Sequence, residues 1–402
     1  MKKVLIISLS FLVAFTIFAS IVISTPSTTL YLLNWGEYID HELVAQFEEE
    51  YHCQVIEECV TSSEAMYQKI TAGSTSYDVA IPGDYTVHQL YDEGYLVNMA
   101  IDDTRYENLN NYKDIFSTQL SDLMATYMVN EEGKEFNSYF MPYFWGAYSM
   151  IYTTDKEDVG STLKSNGFKG LYDRSLFSSD VKIGMYDTAR WIVASYLMAN
   201  DYDPNITSYD GSKEDDLSTE IKNDAIEALQ RVKFNEFGND SLKRDVANGT
   251  LDFCFTQLGD FFDALYLVYD ESEDDINFDV IVPETTSAFF DSMIIPKTYQ
   301  NYDLANAFIN FMLDPTHAYQ NATAIGYSPT LKSVVSLYEE AAENGEYYYG
   351  EEGQDRSLTL KDFLAQYPMY LNPLVNSKTV YMFEPKSNQY LTTCETVLNS
   401  LA

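Results

Sequence analysis

From Pro26 onward the chain alternates short apolar runs with segments whose apolar residues recur at helical spacing. Leu30–Asn34 reads as a buried strand, and Asp40 is placed to cap a helix that carries Leu43, Val44 and Phe47 on one face. Gln54–Val60 is strand-like, Tyr67–Ile70 suggests a short helix, and Tyr77–Ile81 is another apolar strand, stopped by Pro82-Gly83. A helix with Val87, Leu90 and Tyr91 follows. This order predicts β-α-β-α-β within about 70 residues, the mark of an open α/β sheet.

The middle of the chain has a different rhythm. Tyr139–Thr153 is long, aromatic and extended, suited to carry the chain from one lobe to another. Thr188–Met198 and Asn223–Val232 read as helices, with the polar, turn-rich Asp201–Ser212 between them and the strand Asp252–Phe255 after them. Asn277–Val282 is a strand and Ala288–Pro296 a second crossing. Asp303 is placed to cap a helix ending at Leu313, and Asp314-Pro315 opens the next, which ends near Gly326. Gly345–Arg356 is a polar loop, and the tail to Ala402 is mixed. No internal repeat is evident.

The first residues predict a membrane element. Behind Lys2 and Lys3, Val4–Ser24 carries no charge, and as a helix it would rise roughly 31 Å, enough to cross the hydrocarbon core. A cleavable secretory signal begins the same way, but its apolar stretch is shorter and ends in a small-residue cleavage site. A retained anchor with a cytoplasmic N-terminus is the expectation, which puts the rest of the chain outside. Of the four cysteines, Cys53 and Cys59 lie on one strand, roughly 20 Å apart, too far for a disulfide that needs Cα atoms within about 7 Å. Cys254 and Cys394 are the pair left, and buried thiols are the simpler reading for all four.

Composition narrows the function. The 402 residues exceed what one hydrophobic core usually organises, so two lobes are expected. The formal charge of −38, with no Lys/Arg-rich run, argues against nucleic acid and suits a cationic ligand. GxSxG, GxxxxGK[ST] and HExxH are all missing. His41, His52, His88 and His317 have no nucleophile or metal-ligand context. Asp201, Asp203 and Asn205 imitate a calcium loop, but Ile206 stands where glycine is needed and Ser212 where glutamate is. Neither metal nor cofactor is expected.

The aromatic residues carry the remaining signal. Trp35 ends the first strand beside Glu37 and Tyr38, Tyr85 follows a neighbouring strand beside Asp84, and Phe289-Phe290 precede Asp291. Ligands of open α/β sheets bind at the carboxyl ends of strands. Rings beside acids at such ends suit an organic ammonium, through cation–π contact and charge-assisted hydrogen bonds. A chain with 15% aromatics also produces such neighbours by chance.

An ordered series of motifs is more specific. NWGEY (Asn34–Tyr38), FEEEYHCQV, SSEAMYQKI, YDVAIPGDYTV (Tyr77–Val87), MPYFWGAYSMIY (Met141–Tyr152) and DVANGTLDF (Asp245–Phe253) come first. FFDSMIIP (Phe289–Pro296), ANAFINFMLDP (Ala305–Pro315) and IGYSPT (Ile325–Thr330) follow. Over roughly residues 30–335 the chain resembles the solute-binding proteins of bacterial spermidine/putrescine ABC transporters. Beyond about Ser336 it is recognisable by position alone.

The resemblance implies a two-lobed α/β periplasmic-binding-protein type II fold, a clamshell, here with an N-terminal transmembrane helix. The expected division is an anchor at 1–24, a linker at 25–29, one lobe from 30–142 with 291–335, and the other from 143–290 with 336–402. It implies that Trp35, Tyr38, Tyr85 and Phe289 are aromatic walls, Glu37 an acidic rim group, Asp84 a replacement for a small hydroxyl residue, and Tyr327 a lining residue. Asp291 is implied as the central amine-binding acid and Asp260 as an ammonium-binding acid of putrescine-preferring members. Two positions depart from the family: Gln257 stands where a tryptophan is usual, and Asp187, Thr188 and Trp191 stand where spermidine binders carry acids. Trp191 is then a substitute ring, and Asp187 and Gln257 are site candidates.

The expected function is extracellular binding of putrescine or spermidine for an ABC importer, whose permease and ATPase are separate chains. The expected location is the cell membrane, with one N-terminal span and the bulk outside. Alternatives left open by the residues are another organic cation or an amino acid as ligand, an anchored glycosidase-like surface enzyme using two carboxylates, or an adhesin.

Overall fold

A computed structural model describes residues 28–112, 115–239, 241–271, 276–354 and 356–400. The first lobe starts as the alternating pattern predicts. β1 (Thr28–Trp35) lies between β2 (Cys53–Val60) and β3 (Val79–Ala80), parallel to both. The buried side chains of β1 include Leu30, Leu32 and Leu33. Between β1 and β2 runs α1 (His41–Tyr51), where the Asp40 carboxylate accepts the Glu42 amide, and Leu43 and Phe47 are the buried positions. α2 (Ser63–Ala72) is capped by Ser62, and α3 (Asp84–Asp92) begins directly after Gly83.

Two long strands link the lobes. β4 (Phe140–Thr153) is buried along its whole length and pairs antiparallel with β9 (Thr285–Ile294), with a register shift between Pro142 and Trp145. The far half of β4 then pairs with β7 (Phe253–Gln257) and with β8 (Phe278–Ile281), while β10 (Ser328–Pro329) pairs antiparallel with its Phe144 and Trp145. β7 lies parallel to β5 (Ile183–Tyr186), and β5 to β6 (Glu236–Gly238). One sheet, in the order β2-β1-β3-β9-β4-β7-β5-β6, therefore passes through both lobes.

The helices cover this sheet around two cores. One core gathers Leu33, Val79, Ile294 and the apolar face of α8 (Tyr302–Met312), where Phe308 meets Phe47 edge-on. The other gathers Met150, Ile183 and the buried faces of α4 (Ala189–Ala199) and α5 (Thr219–Val232). α6 (Ser241–Ala247) precedes β7, and α7 (Leu258–Glu271) leaves it without a loop. α8 is capped by Asn301 and not by Asp303, which sits in its first turn. Asp314 does cap α9 (Pro315–Ile325), and Gly326 closes it with φ +80°.

The C-terminal segment is more structured than its composition suggests. β11 (Tyr347–Tyr349) and β12 (Leu358–Thr359) form a small separate ribbon across the polar loop. β13 (Thr379–Tyr381) lies parallel to the first residues of β9, and α10 (Asn388–Asn399) packs into the second core through Tyr390, Cys394 and Val397. All four cysteines are free thiols.

The expected transmembrane helix is corrected. Among the described residues no helix is long and apolar enough to cross a membrane. α5 and α7, at 14 residues each, rise about 21 Å against a hydrocarbon core of about 30 Å. Residues 1–24, on which the expectation fell, lie outside the described residues. The fold class is a two-lobed α/β binding-protein fold, and the placement in the cell membrane by a single span is withdrawn with the helix.

Candidate functional site

The site is built around the junction of β9, the turn after β1 and the start of α3. Asp291 lies on β9, and residue 291 bridges the backbone of Gly83. The glycine matters here, since a Cβ on Gly83 would come within 3.4 Å of the Asp291 carboxylate. The Tyr38 hydroxyl donates to Asp291 Oδ2 at 2.6 Å. Tyr38 is itself fixed from behind: its carbonyl accepts from the Tyr143 hydroxyl at 2.9 Å, and Asn321 donates to that hydroxyl at 2.7 Å. Its ring meets those of Tyr143, Phe144 and Tyr327 edge-on, with centroids 5.2–5.7 Å away.

Asp84 opens α3 beside this cage. Its Oδ1 accepts its neighbour Tyr85's amide at 2.6 Å, and its Oδ2 the Phe290 amide at 3.4 Å. Burial pushes the Asp84 carboxyl up to about 7, helped by the Asp291 charge and opposed by the two amides and Arg190. Burial also pushes Asp291 up to about 7, against the pull of the Tyr38 hydrogen bond. A cation brought beside these two carboxyls, one of which already feels Arg190, would favour their ionised forms.

A second group of rings continues from the first along β4. Tyr148 contacts Phe289, Trp191 and Phe383, with centroids at 5.8, 4.7 and 5.5 Å, and Trp191 also meets Tyr186 at 4.6 Å. Phe289 lies so close over Gly146 that a Cβ there would fall 2.6 Å from its ring. Arg190, buried on α4, places its guanidinium 4.7 Å from the ring centres of both Tyr85 and Phe383, and donates to the Glu384 carbonyl. Arg190, Tyr148 and Phe383 are functional candidates that the sequence reading did not name. Phe383 was hidden in a tail without periodicity, while Arg190 sat in view between Asp187 and Trp191.

The other predicted residues are placed as follows. Trp35 ends β1 opposite Val60, half-buried, with its indole nitrogen buried and unpartnered among the described residues. Glu37 is exposed in the turn that follows, with φ +53°. Gln257 accepts from the Tyr327 hydroxyl at 3.2 Å, and the Tyr327 ring rests on Gly259. Asp260 is buried in the same turn and accepts the Thr256 hydroxyl and the Gln257 amide. Asp187 does not join the rings. It is exposed after β5 and, with Glu64, adds to the burial that raises the Glu395 carboxyl. No group of three or more potential metal ligands occurs among the described residues.

Comparison with known proteins agrees with this architecture. A family profile described as bacterial extracellular solute-binding protein matches residues 42–347. The putrescine-binding periplasmic protein PotF of Escherichia coli (strain K12) is 25% identical over 347 residues, covering 84% of this chain and 88% of that protein. The spermidine/putrescine-binding periplasmic protein of the same organism is 28% identical over 328 residues, covering 80% and 83%. Among solved structures, a spermidine/putrescine transporter substrate-binding protein of Streptococcus pneumoniae superposes with a TM-score of 0.63 at 26% identity, covering 93% and 98%. A spermidine/putrescine ABC transporter protein of Listeria monocytogenes gives 0.68 at 24% identity, covering 93% and 99%, and speaks for the fold alone. A profile spanning most of the chain and a two-lobed fold with its acids in the junction lead to one conclusion: this chain belongs to the bacterial extracellular solute-binding protein family.

Proposed function

We propose that the protein binds a polyamine of the putrescine or spermidine type outside the cell and delivers it to the permease of an ABC importer, whose ATPase is a further chain. The observation that carries this reading is the Asp291–Tyr38 hydrogen bond inside a cage of rings, with Asp84 beside it. The names of the relatives, at 25–28% identity, support the ligand class. The family profile, that of solute-binding proteins, supports a binding role.

The site's chemistry follows from its parts. Asp291 and Asp84 receive an ammonium end, and Tyr38 orients the Asp291 carboxylate. Trp35, Tyr85, Phe289, Trp191 and Tyr327 line the methylenes, each ring face worth about 0.5–2 kcal/mol against a cation. Glu37 and Asp187 draw the ligand in from the rim, and Gln257 holds Tyr327. The lobes open to admit the cation, and contacts made only when they close shift the population toward the closed form.

Calorimetric titration with putrescine and spermidine tests this. One-to-one saturable binding is expected, and Asp291→Ala should weaken it at least about 100-fold, as loss of a buried charge partner does. Binding untouched by that substitution, or weak heat that disappears with added salt, overturns the reading.

A further inference from the structure

The turn after β1 that carries Glu37 and Tyr38 is gripped by one helix, α9. Asn321, in the middle of α9 and 2% exposed, accepts the Asp40 amide at 2.9 Å through its Oδ1. Its Nδ2 donates to the Tyr143 hydroxyl at 2.7 Å, and that hydroxyl donates to the Tyr38 carbonyl at 2.9 Å. Next to it on α9, Gln320 donates to the Asp40 carboxylate at 2.8 Å. Glu37, inside the turn, has φ +53°, a left-handed conformation that a residue with a Cβ keeps only when its surroundings hold it.

The direction of these bonds is set by chemistry. A backbone amide can only donate, so the atom of Asn321 that meets Asp40 is its oxygen, and its amide nitrogen is turned to Tyr143. The Tyr143 oxygen thereby accepts, and its single proton is left for the Tyr38 carbonyl. The Tyr38 hydroxyl, at the far end of the same residue, donates to Asp291. Asn321, Tyr143 and Tyr38 thus donate in one row that ends on the acid.

We propose that Asn321 is a positioning residue of the cation site: by fixing Asp40 and turning Tyr143 to the Tyr38 carbonyl, it sets where the Tyr38 hydroxyl meets the Asp291 carboxylate. This rests on the polyamine reading above. The consequence reaches the titration of the acid. The titratable groups that face Asp291 are Asp84 at the start of α3, Tyr38 in the turn, and Tyr143 and Tyr148 on β4. Tyr38 is the one that donates to its carboxylate, and that bond favours the ionised form against burial, which pushes the group up to about 7. A loosened Tyr38 lets Asp291 keep its proton at higher pH, where an ammonium ligand needs the carboxylate bare.

The test is titration of the full chain with putrescine and spermidine across a pH series, beside a thermal melt, in the wild type, Asn321→Leu, Tyr38→Phe and the double variant. Asn321→Leu keeps the bulk of the side chain and removes its hydrogen bonds. It should weaken binding at least about tenfold, as Tyr38→Phe should, and move the fall in affinity to higher pH. Because both act through the Tyr38 hydroxyl, the double variant should bind within about threefold of Tyr38→Phe alone. A residue that only supports the fold would lower the melting temperature and leave the pH profile in place, with losses that multiply in the double variant. Multiplying losses, or an unshifted pH profile in folded Asn321→Leu, overturns the proposal and leaves the polyamine reading standing. Should Asn321→Leu fail to fold, Tyr143→Phe, which removes the bond to the Tyr38 carbonyl, takes its place in the same cycle and decides. A wild type that binds neither amine overturns the polyamine reading and this inference with it.

Discussion

At the scale of the residue, the two acids at the junction set how the protein responds to pH. Burial raises both Asp84 and Asp291 to about 7, so without ligand the pair holds protons that an unfolded chain would release near 4. The native state then binds more protons than the unfolded state between about 4 and 7, and stability without ligand rises as pH falls through that window. An ammonium ligand reverses the preference, because it favours the ionised carboxylates while its own amines stay charged. Affinity for putrescine should be flat near pH 8 and fall steadily from about pH 7 to pH 5. Calorimetry at pH 7 in buffers of different ionisation heat should show protons released on binding. Proton uptake, or an affinity independent of pH, would show that these carboxyls do not meet the ligand.

At the scale of the element, the start of α7 is a joint between secondary structure and site. Gly259 lies in its first turn, and a Cβ there would fall 2.4 Å from the Tyr327 ring. Alanine suits a helix better than glycine by about 1 kcal/mol, so Gly259→Ala should leave the fold near its original stability. The ring must leave its seat, however, and polyamine affinity should fall about tenfold, checked by titration beside a thermal melt. Unchanged affinity would remove Tyr327 from the cage. Elements of this kind differ in how visible they are in a sequence. β1, α1 and β2 were legible because each carries its own periodicity and Asp40 its own cap, and Asp314-Pro315 announced α9 in the same way. Asn301 and Asp303 are both capping residue types, and only backbone geometry makes Asn301 the cap. The acids and rings at the ends of β1, β3 and β9 were legible as neighbours in sequence. Arg190 between Tyr85 and Phe383, and Lys243 against Asp260, were not, because each contact joins segments that share no local pattern. β13 was invisible for a related reason: three residues of strand, paired on one side, leave no alternation to read.

At the scale of the whole molecule, the lobes share one sheet and are tied by β4, β9 and the segment around β13. Arg190 of α4 holds the rings of Tyr85, at the start of α3, and Phe383, after β13, in one contact. That contact ties α3 to α4 and to the segment after β13, and a buried cation between rings contributes up to about 2 kcal/mol. Small-angle scattering should show a smaller radius of gyration with saturating putrescine than without it, and Arg190→Met should enlarge the unliganded form. Equal radii in all three states would mean that closure does not accompany binding. The distance along the chain between the partners of the central hydrogen bond has a kinetic consequence. Tyr38 and Asp291 are 253 residues apart, and β3 likewise waits for β9 as its neighbour. Contacts so far apart are made late, after the loop between them has closed. The cage is therefore missing from the early steps of refolding, and a polyamine has nothing to grip until they are over. It should slow unfolding in stopped-flow measurements while leaving the refolding rate where it was. The ligand acts as a guard on the finished protein and gives no help in making it.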